Sequence, residues 1–160
     1  MNLLKTIATQ VKNWFPAPTV HAHCDGPCGV YDPASARIAA EAVVSMTKKI
    51  LDLQPPTSNN IEAVAAYQNT LSRYIAIKEE QAHIAKKELL VLWTDYFKPV
   101  HLEQYPDLHT KFWNAAKLCS ACKVEVNSDN TEKLMSAIED IQSIFWQTKG
   151  RTDVSWYRAN

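Results

Sequence analysis

Apolar positions recur every three or four residues along most of this chain, and four stretches of that pattern are separated by proline- or asparagine-rich breaks. In the first, Ile38, Ala42, Val43, Met46, Ile50 and Leu53 form a stripe at helical spacing. Asp32-Pro33 supplies its start, an N-cap acceptor followed by a proline suited to the first turn. Pro55-Pro56 stops it, and the run from Thr57 to Asn60 offers the next cap. The second stripe is long: Val64, Tyr67, Leu71, Ile75, Ala82, Ala85, Leu89 and Leu92. It ends near Phe97, ahead of Pro99, and its length makes a kink a natural expectation. HLEQYPDLH reads as a connector, with Pro106 opening a third helix through Phe112, Ala116 and Cys119. Asn127 to Asn130 break the pattern again. The last helix carries Leu134, Ile138, Ile141 and Phe145, and Gly150 ends it.

Four amphipathic helices with short links predict an all-α protein, an up-down four-helix bundle. Composition agrees. The chain has 160 residues, 46% hydrophobic and 21% charged, with only three glycines, which fits one soluble domain with a substantial core. Seventeen basic and seventeen acidic residues cancel, which argues against a nucleic-acid binder relying on a general basic field. No apolar run reaches the roughly 18 residues a membrane-spanning helix needs. The chain reads as cytoplasmic.

The ends look different from the middle. Residues 1–22 read as a removable leader. Lys5, Gln10 and Lys12 interrupt any secretory apolar core. Val20-His21-Ala22 still resembles a small-residue cleavage site, kept extended by Pro16 and Pro18. Residues 23–150 then form the folded unit. The tail, 151–160, is polar with two aromatics, and either docks on a neighbouring surface or stays loose.

The chemistry is concentrated in HAHCDGPCGVYDP, residues 21–33. The four cysteines come as two close pairs, Cys24/Cys28 and Cys119/Cys122, which is metal or redox spacing rather than a disulfide scaffold. Gly26, Pro27 and Gly29 argue against a helix around the first pair and for a compact hook with both thiolates turned inward. Soft thiolates suit zinc, copper(I), iron–sulfur or nickel. Cleavage after Ala22 would give His23 a free amine. That amine, the Cys24 amide nitrogen and two thiolates make a planar set, with the His23 imidazole axial, which favours nickel(II) over tetrahedral zinc. Three other readings stand beside this one. Cleavage before His21 would leave His-Ala-His, the start of a copper or nickel carrier without turnover. All four cysteines converging on zinc would make a structural site. The cysteines could equally be a disulfide or inert thiols.

HCDGPCGVYDP resembles the hook of the nickel-containing superoxide dismutases, H-C-x-x-P-C-G-x-Y, with every fixed position present. VLWTDYFKPVHLEQYPDLH, residues 91–109, and IFWQTK near residue 144 are similar to that family too. The resemblance spans about residues 23 to 149. It implies a bacterial homohexamer of four-helix bundles that disproportionates superoxide to oxygen and hydrogen peroxide. One nickel ion per subunit would cycle between +2 and +3. It also implies a maturation protease that exposes the histidine, and a nickel chaperone is a further expected partner. Carried over, His23 (amine and imidazole), Cys24 (amide and thiolate) and Cys28 (thiolate) are the metal ligands. Tyr31 would flank the open face, with Asp25, Tyr96 and Lys98 lining the approach and Pro27 shaping the hook. Lys98 would help draw in the anion, and the two tyrosines would position superoxide or water.

The chain departs from the family at two places. The resemblance calls for a glutamate at Ala39 and an arginine at Gln81, which together brace the axial histidine. Both are missing at once, so no buried charge is stranded. Glu41 or Glu79 is the carboxylate expected to substitute for that brace. Cys119 and Cys122 stand where small residues are expected and read as core thiols on a helix. His83, His101 and His109 read as surface or interhelical histidines.

Overall fold

The computed structural model describes residues 28–58 and 60–159. The leader and the hook residues His23, Cys24, Asp25 and Pro27 lie outside the described residues. Every regular element among the described residues is helical: α1 (Ala34–Asp52), α2 (Ile61–Val91), a π-helical turn (Leu92–Tyr96), α3 (Pro99–Gln104), α4 (Leu108–Val124) and α5 (Ser128–Thr148). The main contacts pair α1 with α2, α2 with α4, α4 with α5, and α5 back with α1. The four long helices therefore close a square, the up-down bundle expected from short connections.

Local signals start and stop these helices much as their residue types dictate. The Asp32 carboxylate accepts from the Ala34 N–H at 2.8 Å, before α1. Asn60 accepts from Glu62 at the start of α2, and Asn127 from both Asp129 and Asn130 at the start of α5. Gly150 follows α5 with φ +69°, the left-handed position that a C-terminal glycine fills without strain. HLEQYPDLH is not wholly a connector. Pro99, suited to the first helical position, opens the one-turn helix α3, and α4 begins at Leu108.

The core is lined by Leu134, Ile138, Ile141 and Phe145 from α5, the same stripe the sequence predicts. From α4 come Leu108, Phe112, Ala115, Cys119 and Cys122, so both cysteines are packed core side chains. α1 differs from expectation. Its buried face is Ala36, Ala39, Ala40, Val43 and Thr47, while Ile38 is 59% exposed. Small residues on that face let α1 approach its neighbours closely, and the larger apolar residues beside it ride at its edge.

Three charged residues are buried as well among the described ones, Lys78 on α2 and an ion pair on α1. Arg37 and Glu41 pair one turn apart on α1 at 2.8 Å. The C-terminal tail covers them. The Arg37 guanidinium lies 4.0 Å from the centre of the Tyr157 ring, the Ala159 N–H donates to Glu41 at 3.0 Å, and Arg158 reaches Glu132 of α5 at 2.9 Å. Trp156 packs against the core. The tail is thus docked on its own bundle, across α1 and α5.

At the far end of α2 the Phe97 N–H donates to the Leu92 carbonyl at 3.1 Å, a five-residue step that widens the helix by one residue. The Thr94 hydroxyl bonds back to the Leu90 carbonyl at 2.9 Å and loosens the same turn. This is where the long helix leaves regular geometry, and it sets the direction of Tyr96.

Candidate metal centre

Of the three predicted metal ligands, Cys28 falls among the described residues. It is a free, exposed thiol at the end of the hook. Gly29 follows with φ +63°. An added Cβ there would meet nothing within 4 Å, so the backbone angle, not crowding, is what requires glycine. The chain then turns down through Val30 and half-buried Tyr31 to the buried Pro33 at the head of α1. Cys28 therefore lies six residues ahead of a bundle helix, with its thiol exposed.

Tyr31 packs against Tyr96, 65 positions further along the chain, with ring centroids 5.6 Å apart. Tyr96 also touches Phe145 at 4.5 Å and Phe97 at 5.0 Å, and His101 stacks on it at 5.7 Å. Two of the predicted approach residues are thus brought together beside the hook. Lys98 is exposed and sits immediately before α3. Its backbone N–H donates to His101 Nδ1 at 3.1 Å. That bond leaves Nδ1 as the acceptor, so the neutral ring carries its proton on Nε2. Asp25 lies outside the described residues.

Sequence reasoning missed several neighbours. Thr148 meets the Tyr96 hydroxyl at 2.6 Å, and the Lys149 ammonium lies 5.3 Å from the Tyr96 ring centre. Lys149 adds a second cation beside the one expected at Lys98. Glu88 of α2 helps line a cleft of about 150 Å³ with Val30, Tyr31, Asp32 and Ser35. Thr148 and Lys149 lie in the IFWQTK block that resembles the family, which was the available signal, whereas Glu88 has none because it acts across helices distant in sequence. Ala39 is buried in the core, and Gln81 is half-buried. Glu41 is no substitute brace for a hook histidine, since Arg37 and Ala159 hold its two oxygens. Glu79 is exposed.

Among the described residues no cluster of three or more His, Cys, Asp or Glu could hold a metal. Cys119 and Cys122 are buried beside apolar neighbours, which pushes their thiols up to about 12 and about 11. They stay protonated at neutral pH and are poor ligands. The donor types that would suit a thiophilic metal lie together in the sequence at His23, Cys24 and Cys28, and of these Cys28 is described and exposed.

Comparison with known proteins agrees with this arrangement. Residues 18–149 match the family described as nickel-containing superoxide dismutase. The chain is 43% identical over 134 residues to the nickel superoxide dismutase of Streptomyces seoulensis, covering 84% of this chain and 93% of that one. It is 42% identical to the Streptomyces coelicolor enzyme over the same shares. A native nickel superoxide dismutase crystal structure superposes with a TM-score of 0.67 at 40% identity, covering 81% of this chain and all of the other. With its hook sequence, its bundle and its paired tyrosines, this chain belongs to the nickel-containing superoxide dismutase family.

Proposed function

We propose that the reactive centre of this chain is its N-terminal hook, matured by cleavage between Ala22 and His23, with His23, Cys24 and Cys28 as the nickel ligands. The reaction is superoxide disproportionation at a nickel ion. One superoxide gives up an electron and leaves as oxygen, and a second takes that electron and two protons to leave as hydrogen peroxide. Nickel supplies the one-electron couple between +2 and +3, which thiolate and amidate donors bring into range.

The remaining roles belong to the protein. Tyr31 and Tyr96 wall the approach and place hydroxyls there to order superoxide or water. Lys98 and Lys149 supply positive charge near that wall and favour entry of a small anion. Asp25 lines the approach from the hook. The contact that carries this reading is Tyr31 on Tyr96, which ties the hook's last fixed residue to the second family block at 5.6 Å.

Full function also calls for partners: a maturation protease, a nickel chaperone and five further copies of the chain in a homohexamer. Exposed Trp113, Leu90, Val100 and Leu102 give the bundle apolar surface that such an assembly would cover. No helix among the described residues is long and apolar enough to cross a membrane. The proposed location is the cytoplasm.

The test is superoxide consumption by nickel-loaded chain starting at His23, compared with full-length chain treated identically. Activity confined to the trimmed form supports the assignment. Equal activity of the untrimmed chain contradicts it, because there the His23 nitrogen is locked in a peptide bond.

A further inference from the structure

The Tyr96 hydroxyl has a proton direction that can be read from its neighbours. Tyr96 Oη and Thr148 Oγ1 are 2.6 Å apart, and by distance alone either could be the donor. Thr148 Oγ1 also lies 2.6 Å from the Phe145 carbonyl. A carbonyl only accepts, and threonine has one hydroxyl proton. That proton is therefore committed to Phe145, and Thr148 can meet Tyr96 only with a lone pair. The end of α5 explains why the carbonyl is available. Its last turn tightens, with the Lys149 N–H donating to Trp146 at 3.0 Å and the Gly150 N–H to Gln147 at 2.9 Å, so the Phe145 carbonyl takes the threonine hydroxyl.

We infer that Thr148 is a positioning residue that draws the Tyr96 proton away from the approach, so that Tyr96 faces incoming species as a hydrogen-bond acceptor. This rests on the placement of Tyr96 in the reactive centre. An acceptor there favours species that carry a proton, such as water or nascent hydrogen peroxide, over bare superoxide, which only accepts. The two wall tyrosines would then differ in task, with Tyr96 holding the protonated partner. The packing that fixes the ring keeps this orientation, since Phe145, Phe97 and His101 surround it.

The experiment uses ultraviolet resonance Raman spectra of the full-length chain, in which the phenol Fermi doublet separates hydrogen-bond donors from acceptors. Subtracting the spectrum of Tyr96→Phe isolates Tyr96. The expected result is a strong-donor signature that Thr148→Val abolishes and Thr148→Ser restores. In the trimmed, nickel-loaded chain, Thr148→Val should lower kcat/KM about fivefold, the effect of one ordinary hydrogen bond, and Thr148→Ser should recover most of it. An acceptor-only signature in the unsubstituted chain, or a donor signature surviving in Thr148→Val, overturns the inference. So does unchanged kcat/KM in a Thr148→Val chain that has lost the signature. The spectra need no nickel. A donor signature in a chain whose trimmed form consumes no superoxide would defeat the proposed function and leave the proton direction standing.

Discussion

Lys78→Met tests how the bundle's closed end is held. Lys78 is 1% exposed, yet it carries an ammonium. Its Nζ donates to the carbonyls of Cys122, of Lys123 at 2.8 Å and of Glu125 at 3.0 Å, one acceptor for each proton, at the C-terminal end of α4. Burial lowers its pKa from 10.5, opposed by the charges at Glu79 and Cys122. Methionine keeps the length of the side chain and removes the donor. The Cys122 carbonyl, on a residue 1% exposed, would lose its partner in a dry site, at about 1–3 kcal/mol. Water reaches the other two more readily, so they cost about 0.5–1 kcal/mol each, and the lost charge at the helix end adds about 0.5 kcal/mol. Burying the methionine returns about 1 kcal/mol. The net loss is about 1.5–4.5 kcal/mol, or roughly 5–14 °C in Tm at about 3 °C per kcal/mol for a domain of this size. Urea unfolding at neutral pH reads it as a lower midpoint at unchanged slope. The alkaline arm has a definite sign. A folded pKa below 10.5 means the unfolded chain binds the extra proton in that window, so this group's contribution rises as pH climbs towards 10.5 and falls back below the lowered value. Lys78→Met should lack that rise. A variant within about 0.5 kcal/mol of the parent would refute the reasoning, because the three carbonyls would then not depend on the ammonium.

Other outcomes follow from the same geometry. Cys28→Ser should abolish nickel binding by the trimmed chain while moving the urea midpoint by less than about 0.5 kcal/mol, since the thiol is exposed and touches no core. Truncation after Gly150 should cost about 2 kcal/mol in urea, because it uncovers the Arg37–Glu41 pair and removes Trp156 from the core. At high pH, Cys119 and Cys122 act against stability. Their folded pKa values, about 12 and about 11, lie above the unfolded 9.0, so their contribution is complete below pH 9 and drains away as pH rises through those values. Cys119→Ala should flatten that loss in alkaline unfolding curves, and a curve of unchanged slope would count against the burial argument. A thiol-alkylating reagent at neutral pH should modify Cys28 and spare Cys119 and Cys122 until the protein unfolds.

How legible each part was depends on how local its cause is. The α5 stripe was readable because large apolar side chains mark it at spacings of four, three and four. The α1 face was not, because its core side is alanine and threonine flanked by a buried Arg–Glu pair, while Ile38 points outward. Nothing in the sequence sets Lys78 apart from the other lysines of its helix, since its partners lie more than forty residues away. The hook motif stands out in the sequence because metal donors and turn residues sit within a few positions of one another, and all of it before Cys28 lies outside the described residues. Tyr31 and Tyr96 gained a shared purpose only through the family resemblance, and their contact is a matter of how the bundle folds. Thr148 is marked in the sequence only by its place in the IFWQTK block, which says nothing of its partner. Its role appears only when the final turn of α5 and the π-helical turn after α2 are seen together.

The most direct test of the account is the metal held by chain beginning at His23, beside untrimmed chain, after exposure to equal nickel and zinc. The account predicts about one tightly held nickel per trimmed chain, in planar coordination, and none in the untrimmed form. Zinc in both forms, or nickel regardless of the leader, would contradict it, because the His23 amine would then not be a ligand.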